Sequence, residues 1–152
     1  MIPVKVQPEL PDWAGDHMRR YLASNGEEGY YVDFRAIGGY ELTPTLLLTT
    51  TGRKSGKVHT QPLIYGDIGD KRVIVASLGG APRHPAWYLN LCAHPEVEVQ
   101  IKAERLRARA RTASGAERAA LWKEMAVIYP PYEQYRQMTT REIPVVVLEP
   151  LP

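Results

Sequence analysis

A chain of 152 residues with 44% apolar and 24% charged side chains fits one folded domain and excludes a globally disordered polymer. A net charge of +2 is too small for a histone-like nucleic-acid binder, although it accommodates an anionic ligand. The single cysteine, Cys92, rules out an internal disulfide and a cysteine zinc cluster, and fits a reducing, cytoplasmic compartment.

The first eight residues, Met1 to Pro8, lack the apolar run of a signal peptide. No segment approaches the ~20 apolar residues of a membrane span, so stable membrane insertion is not expected. Residues 1–10 read as an extended arm, and 11–152 as one domain. Pro11 suits the first turn of a helix, where its missing N–H costs nothing. Ala14, Met18, Tyr21 and Leu22 then share one helical face, and Gly26 stops the helix. Tyr30 to Phe34 reads as a strand or a lining loop, broken by Gly38-Gly39.

The clearest strand signals follow. Thr45 to Thr51 is a β-branched and leucine run, and Gly52 to Lys57 a basic turn. Val58 to Tyr65 continues as a strand in which Pro62 implies an edge or bulge. Asp67 to Asp70 is a hairpin loop, and Arg72 to Ser77 the next strand. After the Gly79-Gly80-Ala81-Pro82 loop, Pro85 opens a helix that runs to about Ala93. Cys92, among Leu89, Leu91 and Ala93, reads as a small buried thiol.

Val97, Val99 and Ile101 alternate with polar residues, as do Leu106, Ala108 and Ala110 with Arg105, Arg107, Arg109 and Arg111. The two runs form a hairpin with one wet face. Ser114 with Glu117 reads as a capping box for a helix carrying Ala120, Leu121 and Met125. Tyr129-Pro130-Pro131-Tyr132 breaks that helix, and Val145 to Leu148 is a last strand. Short links between consecutive strands favour antiparallel pairing. The expected fold is therefore α+β: a six-stranded antiparallel barrel with helices outside.

Three groups of residues suggest a ligand. Gly52 to Lys57 places three cations and a hydroxyl on a tight turn, which suits phosphate. It is not a P-loop, because only three residues separate its glycines. A solvated hairpin tip would use the same residues, and spacing alone does not choose. Trp87 and Tyr88 begin a helix beside a glycine-rich loop, where they would cover a planar ligand or simply anchor the helix. Tyr129, Tyr132 and Tyr135 recur at intervals of three around the prolines, where they would offer three hydroxyls to a polar substrate or simply pack as an amphipathic turn on the barrel.

The arginine stripe at 105–111 lacks interleaved aromatics, so it reads as a solvated face and no nucleic acid is expected. The four histidines have no helical pairing, so no metal centre is expected. Oligomeric state is not legible.

Read in order, Leu46 to Gly56, Gln61-Pro62-Leu63, Val75-Ala76-Ser77, Gly79 to Pro82, Pro85 to Leu91, His94 to Val97, Tyr129 to Tyr132 and Ile143 to Pro150 resemble the deazaflavin-dependent nitroreductase family. The resemblance spans nearly the whole chain and implies a flavin-binding split β-barrel. It also implies coenzyme F420, a deazaflavin ring on a ribityl-phosphate arm with an oligoglutamate tail. Carried over by position, cofactor contacts fall on Arg53, Lys54 and Ser55. They fall next on His59, Thr60, Gln61, Pro62, Leu63 and Ile64, then on Val75, Ala76, Ser77 and Leu78. The remainder are Ala86, Trp87, Tyr88, Leu89, Asn90 and Tyr132.

Two positions depart from the family pattern. Leu78 and His59 stand where the family commonly has cations, which leaves FMN as the alternative cofactor. The implied activity is hydride transfer from the reduced cofactor to a small electron-poor acceptor: a quinone, nitro compound or enone. Tyr129, Tyr132 and Tyr135 would shape the acceptor pocket and stabilise charge. The other readings are a non-catalytic flavin-like or apolar ligand-binding protein and an FMN-dependent reductase.

Overall fold

The computed structural model describes residues 12–152, with side chains from Asp16 onward. The expected arm, Pro11 and the side chain of Ala14 lie outside this. Helix α1 (Asp12–Ser24) buries Met18 and Tyr21, as the helical spacing predicts. It ends before Gly26, whose φ of +84° and N–H bond to the Tyr21 carbonyl form the stop.

Eight strands make one antiparallel sheet: β1 (Tyr31–Val32), β2 (Thr43–Thr51), β3 (Val58–Ile64), β4 (Gly66–Ile68), β5 (Lys71–Val75), β6 (Glu96–Ile101), β7 (Glu104–Thr112) and β8 (Val145–Pro150). Six were expected. The additional two, β1 and β4, are two and three residues long. The expected hairpin loop at Asp67 to Asp70 gives its first half to β4.

The spatial order is β3-β2-β6-β7-β8-β5-β4, with β1 beside the start of β2. Because β3 and β4 are separated only by Tyr65, the two ends of the sheet are covalently joined, and the sheet must curl. Pro62 pairs with Leu47 and presents its donor-less side away from β2, where β3 has no further partner among the described residues.

Alternation along β5 and β8 sends side chains to two cores. Ile74, Ala76, Val146 and Leu148 face inward, against Trp87 and Leu91 of α2 (Ala86–Ala93). Val73, Val75, Val145 and Val147 face outward, against Leu121, Trp122 and Met125 of α3 (Gly115–Ile128). The β6–β7 hairpin and the solvated arginine face match the sequence reading; Arg107, for example, pairs with Glu96 at the surface.

Three local expectations fail. Ser114 sits at the N-cap of α3 but makes no side-chain capping bond. Glu117 instead accepts two hydrogen bonds from Arg111, at 2.6 and 2.8 Å, and one from Lys71 at 3.1 Å. Cations brought close by the sheet outcompete the backbone amide. Tyr129-Pro130 does end α3, with Tyr129 as its non-helical C-cap, but Pro131 at once starts α4 (Pro131–Gln137), so Tyr132 and Tyr135 sit on a helix rather than a turn. Cys92 is exposed, because Trp87, Asn90 and Leu91 already occupy the buried face of α2.

Candidate active site

A cavity of about 550 Å³ lies where β3, the end of β5, the start of α2 and α4 converge. That volume suits a drug-sized or cofactor-sized ligand. β3 contributes Gln61, Pro62, Leu63 and Ile64 to its wall, and β5 contributes Val75. The following loop contributes Ser77 and Leu78, and α2 Ala86 and Trp87. Tyr129, Tyr132 and Tyr135 close another side. Twelve of the sequence-derived candidates thus meet around one cavity. No aspartate or glutamate is among its lining residues, and Arg83 contributes a cation.

The tyrosine side is built by the Pro130-Pro131 junction, which holds Tyr129 against α4. Tyr132 and Tyr135 lie one helical turn apart and so share a face. The Tyr129 and Tyr135 hydroxyls bond each other at 3.0 Å. Tyr132 takes no part in that pair. The Tyr129 ring stands edge-on to Tyr132 at 4.8 Å and to Phe34 at 5.3 Å. Burial, and then the bond to Tyr135, push the Tyr129 phenol well above its usual pKa. Burial first, and the neighbouring tyrosines second, do the same to Tyr132. Both remain neutral across the physiological range, as hydrogen-bond donors rather than bases.

The basic turn is outside the cavity. Arg53, Lys54 and Ser55 are exposed. The turn is held by Gly52 N–H to the Lys57 carbonyl at 2.7 Å and by Gly56 N–H to the Gly52 carbonyl at 2.9 Å. Ser55 Oγ accepts from the Lys57 amide at 3.1 Å. Asn90, 4% exposed, accepts from both the Arg53 amide and its guanidinium at 3.1 Å. Among the described residues, the Lys54 and Ser55 amides are left uncommitted. Asn90 lies one helical turn beyond Ala86 and Trp87, which spans about 6 Å of axis. One short helix therefore ties the cationic turn to the cavity wall.

The other candidates fall elsewhere. Thr60 is buried, with its hydroxyl 2.7 Å from that of Thr49. His59 stands beside the turn; a side chain at Gly52 would meet its Nε2. Ala76 is in the core. The Tyr88 hydroxyl pairs with Thr112 at 2.9 Å, and Leu89 is half-buried away from the cavity. Sequence reasoning missed Phe34 and Arg83 as lining residues, although Tyr30 to Phe34 had been read as a strand or lining loop.

The sequence profile of the F420H(2)-dependent quinone reductase family matches residues 13–150. The chain belongs to that family. A putative F420H(2)-dependent quinone reductase of Mycobacterium tuberculosis is 40% identical over 107 residues, 70% of this chain and 90% of the relative. A second M. tuberculosis F420H(2)-dependent quinone reductase is 37% identical over 135 residues, 87% of this chain and 86% of the relative. The solved structure of an F420-H2 dependent reductase is 45% identical, with a TM-score of 0.65 over 70% of this chain and 94% of its own. A further solved structure, described only as a domain-swapped dimer, is 40% identical, with a TM-score of 0.67 over 91% of this chain and 98% of its own. The heme storage protein HutZ of Vibrio cholerae, at 12% identity and a TM-score of 0.55, shares the fold alone.

Membership in this family of reductases decides between the two cofactors in favour of coenzyme F420. The family carries the quinone reductase name where the sequence resemblance had suggested nitroreductase. Among the described residues, no helix is long and apolar enough to cross a membrane.

Proposed function

We propose that this reductase transfers a hydride from reduced coenzyme F420 to a quinone-class acceptor in the cavity between β3 and α4, with nitro compounds and enones as slower acceptors. The observation that carries the reading is the composition of the site. A carboxylate-free, largely apolar cavity is bounded by tyrosines and tied through Asn90 to a cationic turn. The donor set fits the cofactor: the apolar slot suits a planar ring, while Arg53, Lys54 and Ser55 suit phosphate and oligoglutamate. The chemistry the cofactor supplies when bound is the hydride.

The chain's own residues bind, orient and stabilise. Trp87 forms part of the ring-binding wall. The Tyr132 hydroxyl donates to the acceptor oxygen as negative charge develops there, and its raised pKa keeps the proton in place for that purpose. The Tyr129–Tyr135 pair fixes the neighbouring rings, and the buried surroundings exclude water. We read the fold as a flavin-binding split β-barrel, with residues 11–152 acting as one cofactor-binding unit. A lone exposed cysteine fits a reducing compartment, and we place the protein in the cytoplasm.

The test is titration with coenzyme F420 followed by single-turnover oxidation of the bound, reduced cofactor by a panel of quinones, nitroarenes and enones. Binding should quench tryptophan fluorescence, and Trp87→Phe should remove much of that quench. Tight binding with no acceptor oxidising the reduced cofactor would refute the catalytic reading.

A further inference from the structure

Between β5 and α2 the chain makes an unusual turn. Leu78, Gly79 and Gly80 have φ of +46°, +62° and +81°, three successive residues in the left-handed region. Leucine rarely adopts that conformation, because its Cβ approaches the backbone. Gly80 is pressed onto α4; a side chain there would come within 2.9 Å of the Tyr135 carbonyl oxygen. The turn's own backbone supplies two bonds, Gly80 N–H to the Ser77 carbonyl at 2.9 Å and Ala81 N–H to the Leu78 carbonyl at 3.1 Å. Yet this segment presents Ser77, Leu78, Gly79 and Arg83 to the cavity, so its conformation sets part of the binding surface.

The missing restraint comes from the segment joining α4 to β8. Arg141 donates through Nη2 to the Ser77 carbonyl at 2.8 Å, through Nε to the Ala81 carbonyl at 2.9 Å and through Nη1 to the Ala76 carbonyl at 3.2 Å. Nη1 also lies 3.1 Å from His84 Nδ1. Burial, and then the Arg141 charge, hold His84 below its usual pKa, which suits a neutral acceptor. The acceptors at 77 and 81 flank the left-handed turn, so one rigid fork spans it. No carboxylate pairs with this guanidinium among the described residues, and Arg141 does not line the cavity. Its bonds are to the loop.

We infer that Arg141 is a positioning residue for cofactor binding: its guanidinium fastens the left-handed loop of residues 76–84 in the shape that forms the cavity wall. Only a planar fork makes these bonds together; a lysine keeps the charge and loses the geometry. The inference rests on the F420 reading for its functional consequence, while the loop's rigidity is measurable without any ligand.

The experiment compares the full chain with Arg141→Lys and Arg141→Ala. Three quantities are read: the dissociation constant for coenzyme F420, amide exchange of peptides covering residues 77–85 without cofactor, and Tm. Both variants should bind the cofactor at least tenfold more weakly. Loop amides at Gly80 and Ala81 should exchange faster, while the β6–β7 hairpin stays protected. Added guanidinium should restore binding to Arg141→Ala but not to Arg141→Lys.

Wild-type exchange in the loop of both variants would overturn the inference. So would weakened binding without faster loop exchange and without guanidinium rescue, since Arg141 would then act on binding by a route other than the shape of the loop. If Arg141→Ala does not fold, Arg141→Lys decides by the same exchange criterion. If the wild-type protein does not bind coenzyme F420, the functional reading fails, and loop exchange alone decides the role of Arg141.

Discussion

Helix α4 holds its rings in a dry, neutral, mutually packed cluster, whereas the Gly52–Lys57 turn holds its cations in water on a hydrogen-bonded loop. One lines the cavity and the other lies outside it, and both depend on a neighbour for shape: Pro130-Pro131 in one case, Asn90 in the other. The contrast teaches where each kind of energy is available. A hydroxyl acts strongly on developing charge when water is excluded. A solvated lysine contributes long-range attraction that salt weakens. The dry side should therefore govern turnover, and the wet side affinity.

The largest expected effect tests the dry side. Tyr132→Phe keeps the ring and removes the donor, so kcat should fall by about a hundredfold, the scale of a lost oxyanion donor. Cofactor affinity should stay within about twofold of wild type. Tyr129→Phe, which breaks only the pair with Tyr135, should cost less. Equal loss of affinity and turnover in Tyr132→Phe would break the division of labour.

Next comes the strut of the wet side. Asn90→Ala leaves the Arg53 amide without its acceptor, and cofactor affinity should fall about tenfold, the scale of one lost hydrogen bond. Single-turnover rates at saturating cofactor should hold. Lys54→Ala should weaken binding several-fold at low salt. A titration in increasing salt should then bring wild type and variant together, because screening has less left to act on in the variant. Parallel salt slopes would remove Lys54 from the anion site.

The smallest effect serves as a control away from both regions. Arg111 first, and Lys71 second, hold the Glu117 carboxyl at about 2, below its usual 4.5. A depressed folded-state pKa stabilises the fold above the ordinary value and loses that contribution as pH falls through the folded one. Glu117→Gln should therefore lower Tm at neutral pH, with the difference shrinking below about pH 4.5 and gone near pH 2. Cofactor affinity and kcat at neutral pH should not change.

What the sequence revealed followed the range of the forces involved. Period-two alternation marked β6 and β7, and a continuous apolar run marked β8, because these patterns lie in each strand's own residues. The ordered motifs brought Gln61 to Ile64, Val75, Trp87 and the tyrosines to one cavity. Strand β4 was hidden because Gly66–Ile68 is too short to show a period and is fixed by β5. Cys92 misled because its sequence neighbours are apolar, while the helix turns it about 100° per residue away from them. Asn90 was identified as a cofactor contact from its motif, yet the structure gives it a load to carry under Arg53. Arg141 gave no signal at all. Its partners are carbonyls some sixty positions away in the chain, and carbonyls leave no mark in a sequence.

The order of the strands in the sheet has a consequence for how the protein comes to exist in time. Leu48 meets Val99, and Ile74 meets Val146, so the central pairings join stretches far apart along the chain. Such pairings form slowly, since long loops must close before their contacts reward it. The cavity draws its walls from Phe34, Gln61, Val75, Trp87 and Tyr132, and it is complete only when all of these segments have docked. A ligand that fits it recognises the finished molecule and no earlier species. Occupancy is thus linked to the global folding equilibrium: saturating cofactor should raise the melting transition of the whole chain as one cooperative unit, by an amount that grows with the logarithm of its concentration.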